Sequence, residues 1–259
     1  MKNILTIAGS DNSCGAGIQA DLKTFASLGS YGVCAITSIT SQNSQGVKSS
    51  DIVSANILKK QLDTIFEDMD IDALKIGMIG GLQTISVVIE TVKKKKDIPI
   101  VLDTVFLSSN DYKLLENEAM ELFVNELMPN VTIITPNIKE AEILSGADID
   151  SVEDMKIAIK SIKAKNILLK GGHLKGDAVD LLYNNEKITL FTKKRVAIKE
   201  VHGTGCTLSS AIAVYLSMGK SIKEAVKLSK EYITEAIKHS FDIGHGSRYI
   251  DHFYKVKNA

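Results

Sequence analysis

The sequence predicts an α/β fold in which a mostly parallel sheet lies between two layers of helices. Short apolar segments alternate with helical patterns along all 259 residues, which is the order that βαβ units produce. The apolar runs are nearly continuous, as expected for strands that are covered on both faces. The chain has only three prolines and no low-complexity linker or internal repeat. Residues 1–259 are therefore predicted to form one domain.

The elements follow from the spacing of apolar residues. Strands are predicted at 3–8, 33–41, 73–76, 98–102, 131–135 and 166–170. Helices are predicted where apolar residues recur every three or four positions, at about 16–28, 54–68, 81–95, 113–127 and 151–163. Two alternating runs within 178–192 predict a hairpin with its turn at Asn184-Asn185. Helices at roughly 205–217 and 221–240 follow.

Composition narrows the class of protein. Lys plus Arg and Asp plus Glu both total 31, and this balance argues against a general binder of nucleic acids or membrane surfaces. The three cysteines, Cys14, Cys34 and Cys206, form no CxxC pair and favour a reduced cytoplasmic protein. The N-terminus has no signal-peptide pattern, and no apolar run approaches the ~20 residues of a membrane span. We expect a soluble, cytoplasmic protein.

The turn from His202 to Thr207 is the most informative stretch. It joins a strand-like segment to a predicted helix, and Gly203 and Gly205 allow a tight turn there. Free N–H groups and the helix dipole make a helix N-terminus an anion site, and the Cys206 thiol lies in the same turn. Phosphate or oxyanion chemistry is one interpretation, and an ordinary helix start is the other.

Other loops are expected to meet this turn, because ligands of such sheets bind beyond the carboxyl ends of the strands. The glycine-rich loop at 8–21 follows the first strand, but it contains no G-x-G-x-x-G, and the chain has no Walker P-loop. Without these two motifs, a nucleotide would have to be bound by a different arrangement of loops. The five histidines lack the spacing of a zinc site.

Ordered motifs at these loops carry a family resemblance over essentially the whole chain. They are Gly9-Ser10-Asp11 with 15–25, Gln42-Asn43, 75–78, 102–105, 135–137 with Glu140, 170–173, 202–207, and 244–246 with His252-Phe253. Together they resemble the hydroxymethylpyrimidine/phosphomethylpyrimidine kinases of thiamine biosynthesis, in the ribokinase-like superfamily. The resemblance implies a ribokinase-like three-layer αβα sandwich with a mostly parallel central sheet.

The resemblance also implies an activity. Family members transfer the γ-phosphoryl group of ATP to 4-amino-5-hydroxymethyl-2-methylpyrimidine and then to its monophosphate. ATP and Mg²⁺ are the implied cofactors, and a homodimer is the implied assembly. Two alternatives remain open, namely a pyridoxine/pyridoxal kinase and a non-catalytic sensor that binds a pyrimidine or nucleotide.

Phosphoryl transfer requires alignment and charge stabilisation, and the resemblance assigns residues to these roles. Gly203, Thr204 and Gly205 would supply backbone N–H groups to the phosphate oxygens, and Cys206 would occupy the position of the catalytic base. These four residues form the implied catalytic turn.

The cofactor residues are assigned in the same way. Asp103 and Glu140 would hold Mg²⁺, which prefers oxygen ligands. Asn137 and Lys170 would contact the ATP phosphates. Asn137 and Glu140 could instead form only a capping box at a helix start, and Lys170 could be a solvated lysine.

For the pyrimidine, Gln42 offers a donor beside an acceptor, which matches an aminopyrimidine edge. By resemblance, Gly9, Asp21, Met78 and Val105 would line the pocket, although core packing explains Met78 and Val105 equally well.

The sequence departs from the family pattern at two places. Cys14 stands where the family usually has glycine. Residues 105–111 replace a typical methionine-containing segment, so the expected flap over the site differs.

Overall fold

A computed structural model of the chain describes residues 1–107, 112–172, 174, 176–196, 198 and 200–256. Residues 108–111 of the expected flap and His173 of the Lys170 motif lie outside the described residues. No helix among the described residues is long and apolar enough to span a bilayer.

Strands in the described residues build one nine-stranded sheet and one two-stranded ribbon. They are β1 (Asn3–Asp11), β2 (Tyr31–Asn43), β3 (Gly46–Ile52), β4 (Ala73–Ile76), β5 (Ile100–Leu102), β6 (Ile133–Ile134), β7 (Ile167–Gly171), β8 (Ala178–Asn184), β9 (Lys187–Lys193), β10 (Val201–His202) and β11 (Arg248–Tyr249). The sheet order is β3-β2-β1-β4-β5-β6-β7-β8-β9, and β10 pairs with β11. The pairings from β2 to β7 are parallel, whereas β3, β8 and β9 add antiparallel edges.

Helices cover both faces of this sheet. They are α1 (Gly17–Ser27), α2 (Ala55–Asp68), α3 (Leu82–Lys94), α4 (Asn117–Leu122), α5 (Ile138–Ser145), α6 (Val152–Ser161), α7 (Thr204–Ser217) and α8 (Ile222–Lys238). Helix α4 continues as a π-helical turn at Phe123–Leu127 and a 3-10 turn at Met128–Asn130.

Two apolar clusters show which helices share a face. One contains residues of α2 to α6, and the other contains residues of α1, α7 and α8. Successive strand residues alternate between them: Leu74 and Ile76 of β4 pack in the first cluster, while Ala73 packs in the second. The predicted three-layer sandwich with a mostly parallel sheet is confirmed.

The element predictions are confirmed with small changes and three omissions, one of which is the two-residue strand β11. The hairpin turn lies at Asn185 and Glu186, both with positive φ, one residue later than predicted. Strand β3 and helix α5 were not predicted as elements. Strand β3 is half polar and largely exposed, and α5 has only eight residues.

The C-terminal segment reaches back to the loops at the carboxyl edge of the sheet. Backbone N–H groups of Gly246 and Ser247 donate to Ser44 Oγ and to the Ser44 carbonyl, at 3.0 and 2.8 Å. Ser44 lies in the turn between β2 and β3, two residues after Gln42. The tail therefore braces the loop that carries the expected substrate residue.

Candidate active site

Helix α7 begins at the turn that the sequence singled out. Gly203 has φ +82°, and a Cβ on it would lie 1.9 Å from the Gly15 carbonyl oxygen, so only glycine fits. The helix starts at Thr204, and no side chain caps it in the described part of the chain. The first-turn N–H groups of a helix have no intrahelical partner. The backbone at 203–205 therefore has the geometry of an anion site.

Cys206 lies in this turn and is half-buried. Burial raises its pKa to about 11, although the Lys75 ammonium and a hydrogen bond from the Gly17 N–H act in the opposite direction. The thiol is therefore protonated at neutral pH. Gly17 begins α1, so Cys206 lies close to the N-termini of two helices.

Asp103 and Lys170 form an ion pair beside the same turn. Asp103 follows β5, and its Oδ1 accepts hydrogen bonds from Lys170 Nζ and Thr135 Oγ1, both at 3.0 Å. Burial raises the pKa of Asp103, but Lys170 and Lys75 outweigh it and hold that pKa below its usual value. A Cβ on Gly205 would lie 3.3 Å from Lys170 Nζ, so the first turn of α7 lies directly beside the Asp103–Lys170 ion pair.

Glu140 and Asn137 form the capping box of α5. Asn137 Oδ1 accepts from the Glu140 N–H at 2.9 Å, and Glu140 Oε2 accepts from the Asn137 N–H at 2.8 Å. Thr104 Oγ1 donates to the same Glu140 oxygen at 2.9 Å. Burial raises the pKa of Glu140 to about 7, helped by Asp103 and opposed by Lys170. The capping box is present, and it holds Glu140 near Asp103 and Lys170.

Asp21 corrects one expectation. Its side chain is fully buried and does not line a pocket. Lys75 Nζ lies 2.9 Å from its carboxylate, and Thr6 and Ser210 donate to the two oxygens at 2.6 and 2.7 Å. Asp21 thus belongs to a buried ion pair that joins β1, β4, α1 and α7.

The remaining expected pocket residues lie near the carboxyl ends of β1, β4 and β5. A Cβ on Gly9 would approach the Met78 sulfur to 3.0 Å. Met78 is half-buried and borders a cleft together with Ile52 and Leu115. Val105 is half-buried, and its N–H donates to the Asp103 carbonyl oxygen at 2.9 Å.

Gln42 lies at the end of β2 and is buried among the loops. Its backbone N–H donates to Asn12 Oδ1 at 2.8 Å. The end of β2 is therefore held against the loop that follows β1.

Asp11 is the residue to which sequence reasoning assigned no role. Oδ1 accepts from the Ser13 N–H and hydroxyl, at 2.7 and 2.8 Å. Oδ2 accepts from the N–H groups of Gly15 and Ala16, at 2.9 and 2.8 Å, and lies 3.2 Å from His202 Nε2. An aspartate two residues before a serine in a glycine-rich loop is a typical Asx turn, and this pattern was the available signal.

These contacts set the charge of Asp11. Burial raises its pKa, but the neighbouring polar groups of His202, Gln42, Ser13 and Ala16 hold that pKa well below its usual range. The carboxylate joins the first loop to the turn before α7.

Comparisons with known proteins agree with this geometry. A family model described as phosphomethylpyrimidine kinase matches residues 11–251. The hydroxymethylpyrimidine/phosphomethylpyrimidine kinase of Aquifex aeolicus is 44% identical over 251 residues, which cover 95% of this chain and 98% of that protein. The crystal structure of a Clostridium difficile phosphomethylpyrimidine kinase is 46% identical, with a TM-score of 0.80, over 92% of this chain and all of that one.

A Bacillus subtilis pyridoxal kinase crystallised with ADP is also similar. It is 36% identical, covers the full length of both chains and has a TM-score of 0.90. These likenesses confirm the ribokinase-like sandwich that the sequence predicts.

Proposed function

Because the chain belongs to the phosphomethylpyrimidine kinase family, we propose that it transfers the γ-phosphoryl group of ATP to 4-amino-5-hydroxymethyl-2-methylpyrimidine and then to the resulting monophosphate. The observation that carries the proposal is the uncapped start of α7 beside the Asp103–Lys170 pair. An anion site next to a half-buried cation and a buried carboxylate suits a reaction that depends on alignment and charge stabilisation.

Mg²⁺–ATP supplies the phosphoryl group and a divalent charge when bound. Asp103 and Glu140 would hold the metal, and Asn137 and Lys170 would contact the phosphates. The described residues contain no cluster of three or more His, Cys, Asp or Glu side chains that could enclose a metal. Two carboxylates nevertheless fit Mg²⁺, because this ion usually keeps waters and binds through one or two carboxylates and the substrate phosphates.

Other residues of the chain would bind the phosphoryl group, bind the pyrimidine and accept the proton of the alcohol. The N–H groups of Gly203, Thr204 and Gly205 would hold the transferring phosphoryl oxygens. Gln42 would bind the pyrimidine, with Gly9, Met78 and Val105 around the ring. Cys206 would accept the proton of the alcohol in its thiolate form, whereas the monophosphate already offers an ionised oxygen.

Pyridoxal is the alternative acceptor, favoured by the likeness to the Bacillus subtilis pyridoxal kinase. The Gln42 side chain argues for the aminopyrimidine, since its amide can pair with a ring nitrogen and an adjacent amino group at once.

The test is ³¹P NMR of the products from ATP with each alcohol in parallel. We expect the monophosphate and then the diphosphate of the pyrimidine. Clear preference for pyridoxal would refute the choice of acceptor. Tight pyrimidine binding without turnover would instead identify a sensor. Lys170→Ala, assayed beside the unchanged protein, should slow both transfers, because Lys170 is proposed to contact the ATP phosphates.

We also propose the setting in which the enzyme works. Residues 1–259 would act as one domain, and the family model spans most of that length. Three free cysteines suit a reducing compartment such as the cytoplasm. A homodimer is expected by resemblance, and light scattering at two protein concentrations would test it.

A further inference from the structure

Asp11 and Asn12 connect the two halves of the proposed site. Asp11 Oδ2 lies 3.2 Å from Nε2 of His202, the residue that precedes the Gly203 turn. Asn12 Oδ1 accepts from the backbone N–H of Gln42 at 2.8 Å. Two adjacent residues of the first loop therefore hold the start of the anion site and the end of β2, which carries the expected pyrimidine residue.

The surroundings of Asp11 determine the direction of its contact with His202. Oδ2 also accepts the N–H groups of Gly15 and Ala16 at 2.9 and 2.8 Å, and Oδ1 accepts the Ser13 N–H at 2.7 Å. Burial raises the pKa of Asp11, but the polar groups around it hold that pKa well below its usual range. The carboxylate is therefore ionised and can only accept. The proton of the contact consequently lies on His202 Nε2, which donates to Asp11.

The His202 ring is confined by close packing as well. It lies edge-on to Tyr249, with the ring centroids 6.1 Å apart. A Cβ on Gly15 would approach the His202 ring to 2.2 Å, and a Cβ on Gly203 would lie 1.9 Å from the Gly15 carbonyl oxygen. Gly15 therefore contacts both the ring and the backbone of the turn. Any shift of the turn relative to the first loop would disturb these contacts.

We propose that His202 is a positioning residue for phosphoryl transfer, and that its hydrogen bond to Asp11 fixes the amides of 203–205 relative to the loop that holds the end of β2. This inference rests on the proposed function, in which those amides bind the transferring phosphoryl group. His202 acts through the backbone of the turn and not through contact with the substrate. Misplacement of a reacting group by about 1 Å can slow a reaction by about 100-fold.

The first experiment replaces His202 with two side chains of equal length. Glutamine carries a nitrogen as many bonds from the backbone as histidine Nε2, so His202→Gln can still donate to Asp11. His202→Met has the same length but no donor. With ATP and the pyrimidine alcohol, we expect His202→Met to lower kcat by about 10- to 100-fold and His202→Gln by less than about threefold. The KM values for both substrates should change by less than about threefold, because the amides act on the group in transfer.

A control variant separates this contact from the first loop in general. Ser13→Ala removes the hydroxyl that donates to Asp11 Oδ1 at 2.8 Å, but it leaves both partners of the His202 contact in place. Its kcat should stay within about threefold of the unchanged protein. A loss as large as that of His202→Met would overturn the inference, because the effect would then belong to the loop as a whole.

The kinetic outcomes also distinguish the inference from the proposed function. Full kcat in folded His202→Met would overturn the inference and leave the proposed function intact. Equal losses in His202→Met and His202→Gln, or a loss confined to KM, would overturn it in the same way. Failure of the unchanged protein to phosphorylate the pyrimidine alcohol would instead refute the proposed function.

Asp11→Asn tests the same contact from its other end. It should lower kcat with little change in either KM, and adding His202→Met should cause no further loss, since both substitutions break one interaction. Losses that multiply in the double variant would overturn the inference.

A last measurement needs no stable variant at Asp11. In the unchanged protein, ¹H–¹⁵N spectra of the imidazole groups should show His202 protonated at Nε2, with the signal assigned by its absence in His202→Gln. A His202 ring protonated only at Nδ1 would overturn the inference.

Discussion

Cys206 is half-buried near two helix N-termini, and the effect of burial on the pKa of its thiol dominates. The helix starts and Lys75 favour the thiolate, yet the pKa of the thiol rises to about 11. At pH 7 only about one molecule in 10⁴ then carries the thiolate. A proton acceptor of this kind is weak at neutral pH and strengthens as the pH rises.

We expect the two phosphoryl transfers to respond differently to pH. The single-turnover rate of the first transfer should increase between pH 7 and 9.5, because the thiolate fraction grows by up to about tenfold per pH unit below its pKa. The second transfer should be nearly constant, since the phosphate oxygen with a second pKa of about 6 is already ionised. Cys206→Ala should slow the first transfer more than the second and flatten its pH profile. Equal losses in both rates would contradict a role as base.

Cys14 occupies a backbone conformation that favours glycine. It has φ +61° and is exposed. A residue with a side chain is destabilised by roughly 1–2 kcal/mol in the left-handed region. Glycine removes this strain from the folded state, but it also increases the conformational entropy of the unfolded chain, which offsets part of the gain. We expect Cys14→Gly to raise the free energy of unfolding by up to about 1 kcal/mol. Urea denaturation measures this, with Cys14→Ala as the control that keeps the strain.

The sequence predicts best those helices and strands whose buried residues form a regular local pattern. All four residues of β4, including Lys75, are buried, and its predicted bounds match the structure at both ends. Strand β3 carries Lys48, Ser49 and Asp51 and forms only through pairing with β2, which no local pattern encodes.

In the candidate site too, local sequence patterns predict some features and miss those that depend on distant residues. The motifs correctly predict that Gly203 and Lys170 lie close together, because loops between parallel strands converge at one edge of the sheet. A motif does not specify where a side chain points. Asp21 was therefore placed at the pocket, although its partner Lys75 lies 54 residues away and holds it in the core.

Glu140 of α5 forms the capping box and is proposed to hold Mg²⁺, and one substitution separates these two roles. Gln at position 140 can complete the capping box as Glu does, but it carries no charge. We expect Glu140→Gln to keep nearly full stability and to raise the Mg²⁺ concentration needed for activity. Glu140→Ala should also lose the cap, which costs about 0.5–2 kcal/mol.

The pH dependence provides an internal check on that role. Because the pKa of Glu140 is raised to about 7, the carboxylate is increasingly ionised from pH 6 to 8. The Mg²⁺ requirement of the unchanged protein should fall over this range, and that of Glu140→Gln should not. A Mg²⁺ titration that is the same in both proteins would count against Glu140 as a metal-site residue.

Buried ion pairs tie the layers of the molecule together. Lys75–Asp21 joins strands to α1 and α7, and Lys230–Asp180 joins α8 to β8. Burial lowers the pKa of Lys75, but Asp21 outweighs it and the pKa is raised overall, so the Lys75 amine is protonated.

Removing one partner of such a pair leaves an uncompensated charge in the core. We expect Lys75→Met to reduce the free energy of unfolding by about 3–5 kcal/mol, and the double variant Lys75→Met/Asp21→Asn to recover most of that loss. Urea denaturation of the single and double variants, with the corresponding Lys230 and Asp180 set in parallel, measures both effects. A double variant as unstable as the single one would show that lost packing, not the orphaned charge, causes the damage.

The bracing of Ser44 by Gly246 has a consequence for biosynthesis. A Cβ on Gly15 would collide with His202 and Tyr249, so the first loop is also shaped by residues near the C-terminus. A ribosome releases the amino-terminal strands long before those partners emerge. The emerging chain can pair its early strands, but we expect catalytic competence only after residues 246–249 have emerged. Premature termination upstream of the tail should therefore yield a protein without activity, not a slower enzyme.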